Sequence, residues 1–335
     1  MVSRYAKQVI FSEIGEDGQQ KLGRSRVVII GCGALGSITA SILVRAGIGT
    51  VRIIDRDFIE THNLQRQILF DEKDIEERLP KAVAAERYLK KVNSSISIEG
   101  IVADVNYTNI EKFVEGFDLI MDGLDNLETR YLINDVSLKK KIPWIYGAAV
   151  SSMGMTMTII PHETPCLRCY SPYPAEGPML SCDTSGVISP APVTIGALQA
   201  TEAIKVLIGS DNINRDLIYI DLWTGTFNRV KTHSMSDCPP DNGKYDFLDG
   251  KTGSEIKILC GQNAVQISRK TPLTVSLPQL AARLEHAGKV TYNEFMLNFE
   301  ADGSSMVCFP DGRTIIKNTV EESEAKGVYA RYIGL

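Results

Sequence analysis

The chain has little that would suit a membrane, a nucleic acid or an oxidising compartment. No apolar run among its 335 residues approaches the ~20 that a membrane helix needs, so no span is expected. Lys and Arg number 36 against 41 Asp and Glu, a net charge of −5 with a pI near 5.6, which leaves no basic excess for a broad nucleic-acid footprint. The opening MVSRYAKQVIFSEIGEDG lacks a basic head, an apolar stretch and a small-residue cleavage site. No secretory leader is expected, and the cytoplasm is the expected compartment. Histidine is scarce, and His62, His162, His233 and His286 are too scattered to read as a catalytic base. Cysteine is odd in number at seven, which argues against a disulfide framework and for metal binding or thiol chemistry. Small molecules or proteins are the expected partners.

What is present is ordinary for a globular protein, with 44% apolar and 23% charged residues. The length accommodates a full α/β domain and a smaller unit. After a helical segment to about Gly15 and a short helix at GQQKLGRS, the strand RVVII leads into GCGALG. A helix from Ser37 to Ala46 and the buried strand TVRIID complete a βαβ unit, which implies a parallel sheet. Strand and helix keep alternating through KAVAAERYLKKVN, SISIEGIVADV, NIEKFVEG, FDLIMDG, NLETRYLINDVSLKKK and PWIYGAA. This predicts a doubly wound, Rossmann-like, mostly parallel α/β sheet with ligands outside the carboxyl ends of its strands. Beyond Gly154, MTMTIIP and DLIYIDLWTGTFNRVKTH alternate as antiparallel strands should, around the long helix APVTIGALQATEAIKVLIG. They extend the same domain. The loop SMSDCPPDNGKYDFLDGKTG reads as a boundary. A helix at LPQLAARLEHAG, a hairpin in YNEFMLNFEADGSSMVCFPDGRTIIK and a closing helix form a small α+β domain. The expected domains are therefore residues 1–245 and 246–335.

Gly31, Gly33 and Gly36 fit G-x-G-x-x-G, in which glycines let a phosphate approach backbone N–H groups at a helix start. Asp55, 24 residues after Gly31, stands where a carboxylate would accept ribose hydroxyls. An NAD-dependent oxidoreductase satisfies these features, and so does a turn whose glycines serve packing alone. The segment IIDRDFIETHNLQRQ adds charge that a dinucleotide does not require. Arg66 follows Asn63, Lys81 opens the next helix, and Asp125 follows the strand FDLIMDG. A triphosphate with Mg²⁺ needs such groups.

In chain order, RYAKQ, GCGALGS, DRDFIETHNLQRQ, PKAVAAERYL, DGLDNLETRYLIND, CLRC and GALQATEAIK resemble the ThiF/MoeB/HesA family, relatives of ubiquitin-activating enzymes, over residues 4 to about 241. The resemblance implies ATP- and Mg²⁺-dependent adenylation of the C-terminal glycine of a small ubiquitin-fold carrier ending in Gly-Gly, by a homodimer. It implies that Gly31, Gly33 and Ala34 approach the nucleotide, Asp55 the ribose, Asn63 and Arg66 the phosphates and Lys81 the triphosphate. Asp125 would hold Mg²⁺, with Asn126 beside the nucleotide. Thiazole synthesis, molybdopterin synthesis, tRNA thiolation and protein tagging share this first step, so the pathway stays open.

The chain departs from the family pattern at several points. Lys7 replaces an Arg that reaches the neighbouring subunit's triphosphate, keeping the charge without the planar fork; Arg4 is retained. Ala34 replaces a Gly and His62 a Ser. Cys166 and Cys169 form C-x-x-C, but the second pair of a four-cysteine zinc site is here Cys238 and Asp241, with Cys260 an outside candidate. Cys182 matches a family cysteine implicated in thiol transfer, and the alternative for it is a structural loop cysteine. Cys32 and Cys308 read as packing residues. Lys7 and Asp241 also suit a non-catalytic, carrier-binding relative. The C-terminal domain carries no recognisable motif, and carrier binding, dimer stabilisation and a later step all remain open for it.

Overall fold

The computed structural model describes residues 4–173, 185–252, 256–259, 263–268, 276–301 and 303–333. Two compact units, Met1–Thr252 and Gly253–Leu335, divide the chain.

The first unit opens with α1 (Ala6–Ile10) and α2 (Gly15–Arg24), followed by β1 (Arg26–Ile30), α3 (Ala34–Ala46) and β2 (Thr50–Asp55). Next come α4 (Glu72–Glu76), α5 (Lys81–Val92), β3 (Ser97–Val102), α6 (Ile110–Val114), β4 (Leu119–Asp122) and α7 (Leu127–Lys140). The remainder is β5 (Trp144–Val150), β6 (Met153–Ile159), α8 (Leu167–Tyr170), α9 (Pro190–Ile208), β7 (Leu217–Asp221) and β8 (Thr226–Val230). The eight strands lie in the order β3-β2-β1-β4-β5-β6-β7-β8. Pairing is parallel from β3 to β5 and antiparallel from β5 to β8. The mixed α/β architecture expected from the sequence is the one observed.

Burial explains the central strands. Val27 to Ile30 of β1 and all of β4 are buried, as near-continuous apolar runs must be when helices cover both faces of a parallel sheet. From β1 the chain winds through α3 to β2 on one side, and later returns to β4 on the other. That reversal opens a crevice beyond the carboxyl ends of β1 and β4.

Helix α9 is long and apolar enough, by length and composition, to cross a membrane, which the sequence reading had not anticipated. Its packing is that of a core helix. It lies on α3, β5 and β6, and its buried Gln199 donates from Nε2 to the carbonyls of Asp122 (2.9 Å) and Ile145 (3.2 Å). Helix α3 begins at Ala34, a turn earlier than expected, because Gly33 already serves as its N-cap. The break between the first two helices falls at Phe11 to Ile14, not at Gly15.

The second unit contains β9 (Ile256–Leu259), β10 (Ala264–Ile267), α10 (Leu277–Leu284), β11 (Lys289–Tyr292), β12 (Leu297–Ala301), β13 (Ser304–Cys308), β14 (Thr314–Lys317) and α11 (Glu322–Tyr332). Its six strands form an antiparallel sheet, β11-β12-β13-β14-β10-β9. Leu280 and Leu284 of α10 and Ala325 and Tyr329 of α11 share one core with Leu297, Phe299, Met306 and Ile316. Strands β9, β10 and β11 are additions to the expected helix, hairpin and helix.

Candidate active site

Two turns meet at the crevice. Gly31 has φ +89°, and a Cβ there would stand 2.6 Å from the carbonyl oxygen of Gly123 in the turn after β4. A Cβ at Gly36 would stand 1.9 Å from the Gly31 oxygen. Only glycine permits this approach of backbone to backbone. The turn delivers α3 with its first N–H groups uncapped by any side chain, so the 13-residue helix presents a positive end to the crevice. Ala34 is the first helical residue, and its methyl does not prevent this arrangement.

Asp55 ends β2 and is buried. Its Oδ2 accepts the Cys32 N–H at 2.5 Å and its Oδ1 the Asp57 N–H at 2.7 Å, tying the glycine turn to the next loop. Burial raises this carboxylate, against the pull of Lys81. The Cys32 thiol is pushed far up by burial, consistent with packing. Residues 57–59 run antiparallel to 79–81 through the Phe58–Pro80 bridge and a 2.9 Å bond from Lys81 N–H to the Asp57 carbonyl. That pairing sets Lys81, also buried, with Nζ 3.4 Å from Asp57 Oδ2. Burial opposes its charge, but Asp57, Asp55 and Asp125 outweigh that and raise Lys81 above its usual range.

Asp125 is exposed at the carboxyl end of β4 and stabilises Arg56, Lys81 and Arg130 electrostatically. Asn126 caps α7 by accepting the Thr129 N–H at 3.0 Å. Asn63 is buried, and its Oδ1 accepts the Glu60 N–H at 3.0 Å in a reciprocal capping box. Arg66 is half-buried, with Nη1 donating to the His62 carbonyl at 2.8 Å, and His62 is exposed beside Glu60. Gln67, from the same loop, has its amide nitrogen next to Gly33 and a buried Oε1 with no partner among the described residues.

The structure therefore gathers the glycine turn, Asp55, Lys81 and Asp125, with the Asn63–Gln67 loop beside them. Lys7 is not part of this group. It stands exposed on α1, while nearby Arg4 donates to the Val92 carbonyl at the far end of α5. At 1.5 Å per residue, that end is about 16 Å along the helix from Lys81. Sequence reasoning missed Asp57, Arg56 and Gln67, and it missed the buried pair of Asp122 and Arg130. The repeated acid in DRD was the available signal for the first of these.

A second cluster lies on α8 and the loop near residue 238. Cys166 Sγ is 3.8 Å from Cys169 Sγ and 3.4 Å from Cys238 Sγ, and the three sulfurs lie within 4.8 Å of one another. Tetrahedral zinc with Zn–S bonds of about 2.3 Å spaces its sulfurs about 3.8 Å apart, so the trio fits that ion. A hydrogen bond from Cys166 holds Cys169 down to about 5, while burial pushes Cys238 up to about 11. Asp241, expected as the fourth ligand, is not in the trio. Its Oδ1 faces His162 Nδ1 at 3.3 Å. Cys182 and Cys260 lie outside the described residues, and Cys308 is buried in the second unit.

The model of the ThiF family matches residues 5–240. The Sulfur carrier protein ThiS adenylyltransferase of Bacillus subtilis is 41% identical over 339 residues, covering all of both chains and hence the second unit as well. The SAMP-activating enzyme E1 of Haloferax volcanii is 36% identical over 240 residues, 71% of this chain and 88% of its own. Among solved structures, Escherichia coli MccB with ATP superposes with a TM-score of 0.63 at 25% identity, over 72% of this chain and 75% of that one. A family match that takes in the glycine turn, Lys81, Asp125 and the three clustered cysteines, beside a relative similar over its full length, means that this chain belongs to the ThiF family.

Proposed function

We propose that this chain is an adenylyltransferase, using ATP and Mg²⁺ to activate the C-terminal glycine of a small ubiquitin-like sulfur-carrier protein ending in Gly-Gly. The observation that carries the reading is Lys81, a buried cation kept charged by three carboxylates beside the uncapped start of α3. In the reaction a carrier carboxylate oxygen bonds to the α-phosphorus of ATP, and the bond from that phosphorus to the bridging oxygen of the β-phosphate breaks. Pyrophosphate leaves with the electron pair. No proton need move, so positioning and charge neutralisation do the catalysis, and the site needs no histidine base.

The α3 N–H groups and the Gly31–Ala34 turn bind phosphate oxygens, and Asp55 accepts from the ribose hydroxyls. Lys81 and Arg66 balance the phosphate charge, Arg66 exchanging its bond to the His62 carbonyl for one to phosphate. Asn63 and Asn126 hold the two loops that flank the nucleotide. Asp125, an exposed hard-oxygen ligand, would hold Mg²⁺, which supplies further neutralisation when bound. Lys7 acts in the partner site of a homodimer, since its own α1 lies by the wrong end of α5. Cys166, Cys169 and Cys238 hold a structural zinc. Cys182 is the candidate acceptor if the acyl group moves on to a thiol, and the protein works in the cytoplasm.

The test is exchange of labelled pyrophosphate into ATP, with and without Gly-Gly-ending carriers from the same cell. Carrier-dependent exchange that is lost in Asp125→Ala supports the reading. Saturable NAD(H) binding without any exchange, or exchange indifferent to Asp125→Ala, overturns it.

A further inference from the structure

Gln67 is a buried polar side chain at the crevice that the proposed reaction leaves without a task. It is 4% exposed, and its Oε1 is buried with no partner among the described residues. Such an acceptor is costly to bury, and a residue kept for packing alone would be better apolar. Its backbone is firmly held. The Arg66 and Gln67 N–H groups both donate to the Asn63 carbonyl, at 3.1 and 3.0 Å, and the Gln67 carbonyl accepts the Phe70 N–H at 3.3 Å. Leu69 and Phe70 are buried behind it. The turn sends Arg66 to the His62 carbonyl and Gln67 inward.

A Cβ at Gly33 would stand 3.9 Å from Gln67 Nε2 and 3.7 Å from the Gly123 oxygen, so the amide nitrogen lies by the residue that starts α3, where the two turns meet. The first intrahelical bond of α3 runs from the Ser37 N–H to the Gly33 carbonyl at 3.0 Å, and the Ala34, Leu35 and Gly36 N–H groups precede it, as donors for a phosphate. Nε2 adds a side-chain donor to that set. Which phosphate it meets follows from Asp55, whose Oδ2 accepts the Cys32 N–H and so lies one residue along the turn from Gly33. A ribose held by Asp55 puts the phosphate attached to it, the α-phosphate, at the start of α3. Phosphate oxygens accept hydrogen bonds, which favours the amide orientation with Nε2 toward the nucleotide.

We propose that Gln67 is a further catalytic residue, whose Nε2 donates to a non-bridging oxygen of the α-phosphate. This rests on the adenylation reading and deepens it, by assigning a neutral donor to the phosphorus under attack. Gln67 neither gains nor loses a proton. As the carrier carboxylate oxygen bonds to the α-phosphorus and pyrophosphate leaves with the electron pair of the broken bond, the non-bridging oxygens must be kept in place. A donor preset on a rigid turn holds one of them without reorganising.

The experiment follows labelled-pyrophosphate exchange by the full-length protein with Mg²⁺ and a Gly-Gly-ending carrier, using ATP and the two diastereomers of ATP that carry sulfur on the α-phosphate. Sulfur accepts hydrogen bonds poorly, so the isomer that keeps oxygen at Nε2 should be the better substrate. Gln67→Met, which preserves the length of the side chain, should lower kcat about 100-fold with KM for ATP within about threefold, and shrink the ratio between the isomers about tenfold. Gln67→Asn, which withdraws the amide by one carbon, replaces it if melting curves show the methionine variant to be unfolded, and the same shrinkage is expected. An unchanged isomer ratio in a folded variant overturns the proposal whatever its kcat, because a structural side chain would slow both isomers alike. Undiminished exchange in Gln67→Met overturns it too. Either result, with carrier-dependent exchange by the unmodified protein, leaves the adenylation reading standing. Absence of that exchange overturns both.

Discussion

Lys81 Nζ lies 3.4 Å from Asp57 Oδ2, and Lys81 is the first residue of α5. A cation is disfavoured at a helix N-terminus, where the macrodipole is positive, and burial adds to that cost. Three carboxylates offset both effects. In the proposed reaction this retained charge is what the nucleotide phosphates meet.

Lys81→Met, which preserves the buried stem, is therefore expected to lower kcat/KM for ATP in pyrophosphate exchange by about 100-fold or more, in line with losing one transition-state electrostatic contact. Asp57→Asn should cost less, since Asp55 and Asp125 still hold the ammonium. A Lys81→Met protein with undiminished exchange would rule out a phosphate role for this side chain.

Arg130 and Asp122 form the other buried pair, with Nε and Oδ2 at 2.9 Å. Nη2 of Arg130 also donates to the Leu124 and Gly147 carbonyls, and Asp122 accepts the Leu124 N–H at 2.9 Å. The pair therefore fixes the backbone from which Asp125 projects. Arg130→Ala leaves a carboxylate buried and alone, and is expected to destabilise the first unit by about 3–5 kcal/mol. Urea denaturation measures it. A loss below about 1 kcal/mol would mean that the loop is held by other contacts.

The central sheet was legible because its strands are apolar on both faces and its turns are marked by glycine. Asp55 and Lys81 were legible as the last residue of a strand and the first of a helix. Arg130 was not, because in sequence it is one charge among several in NLETRYLIND, and only the fold reveals that it faces inward. Gln199 was hidden in the same way inside an apolar helix. Asn63 and Asn126 matched a nucleotide motif, yet each also caps a turn or helix, a local task that the motif does not disclose. Strands β9 and β10 are four residues each and follow a Pro-, Asp- and Gly-rich loop, so their pattern was too brief to separate from the boundary.

Gly36→Ala is expected to abolish nucleotide binding. The added methyl would lie 1.9 Å from the Gly31 oxygen, a backbone atom that cannot move without disturbing β1 and Gly123. Calorimetric titration with ATP, alongside a melting curve, measures both consequences. Wild-type affinity in a variant of wild-type stability would show that the two turns are not in this contact.

Asp135 supplies a pH dependence. It lies on α7, and its Oδ2 accepts the N–H groups of Phe247 (2.9 Å) and Leu248 (3.3 Å). Burial raises it from 3.8 to about 6, more than those bonds and Arg168 lower it. Because the folded value lies above the unfolded one, the folded state holds the proton more firmly between pH 4 and 6. Stability conferred by this group is then full below about pH 4, falls as pH rises to 6, and is flat above. A shift of about 2 units corresponds to about 3 kcal/mol at neutral pH. Asp135→Asn keeps an acceptor for both N–H groups and removes the charge. It should therefore stabilise the protein by up to about 3 kcal/mol at pH 8 and change little near pH 4, read from urea denaturation at the two pH values. Equal effects at both would show that the carboxylate does not titrate in this range.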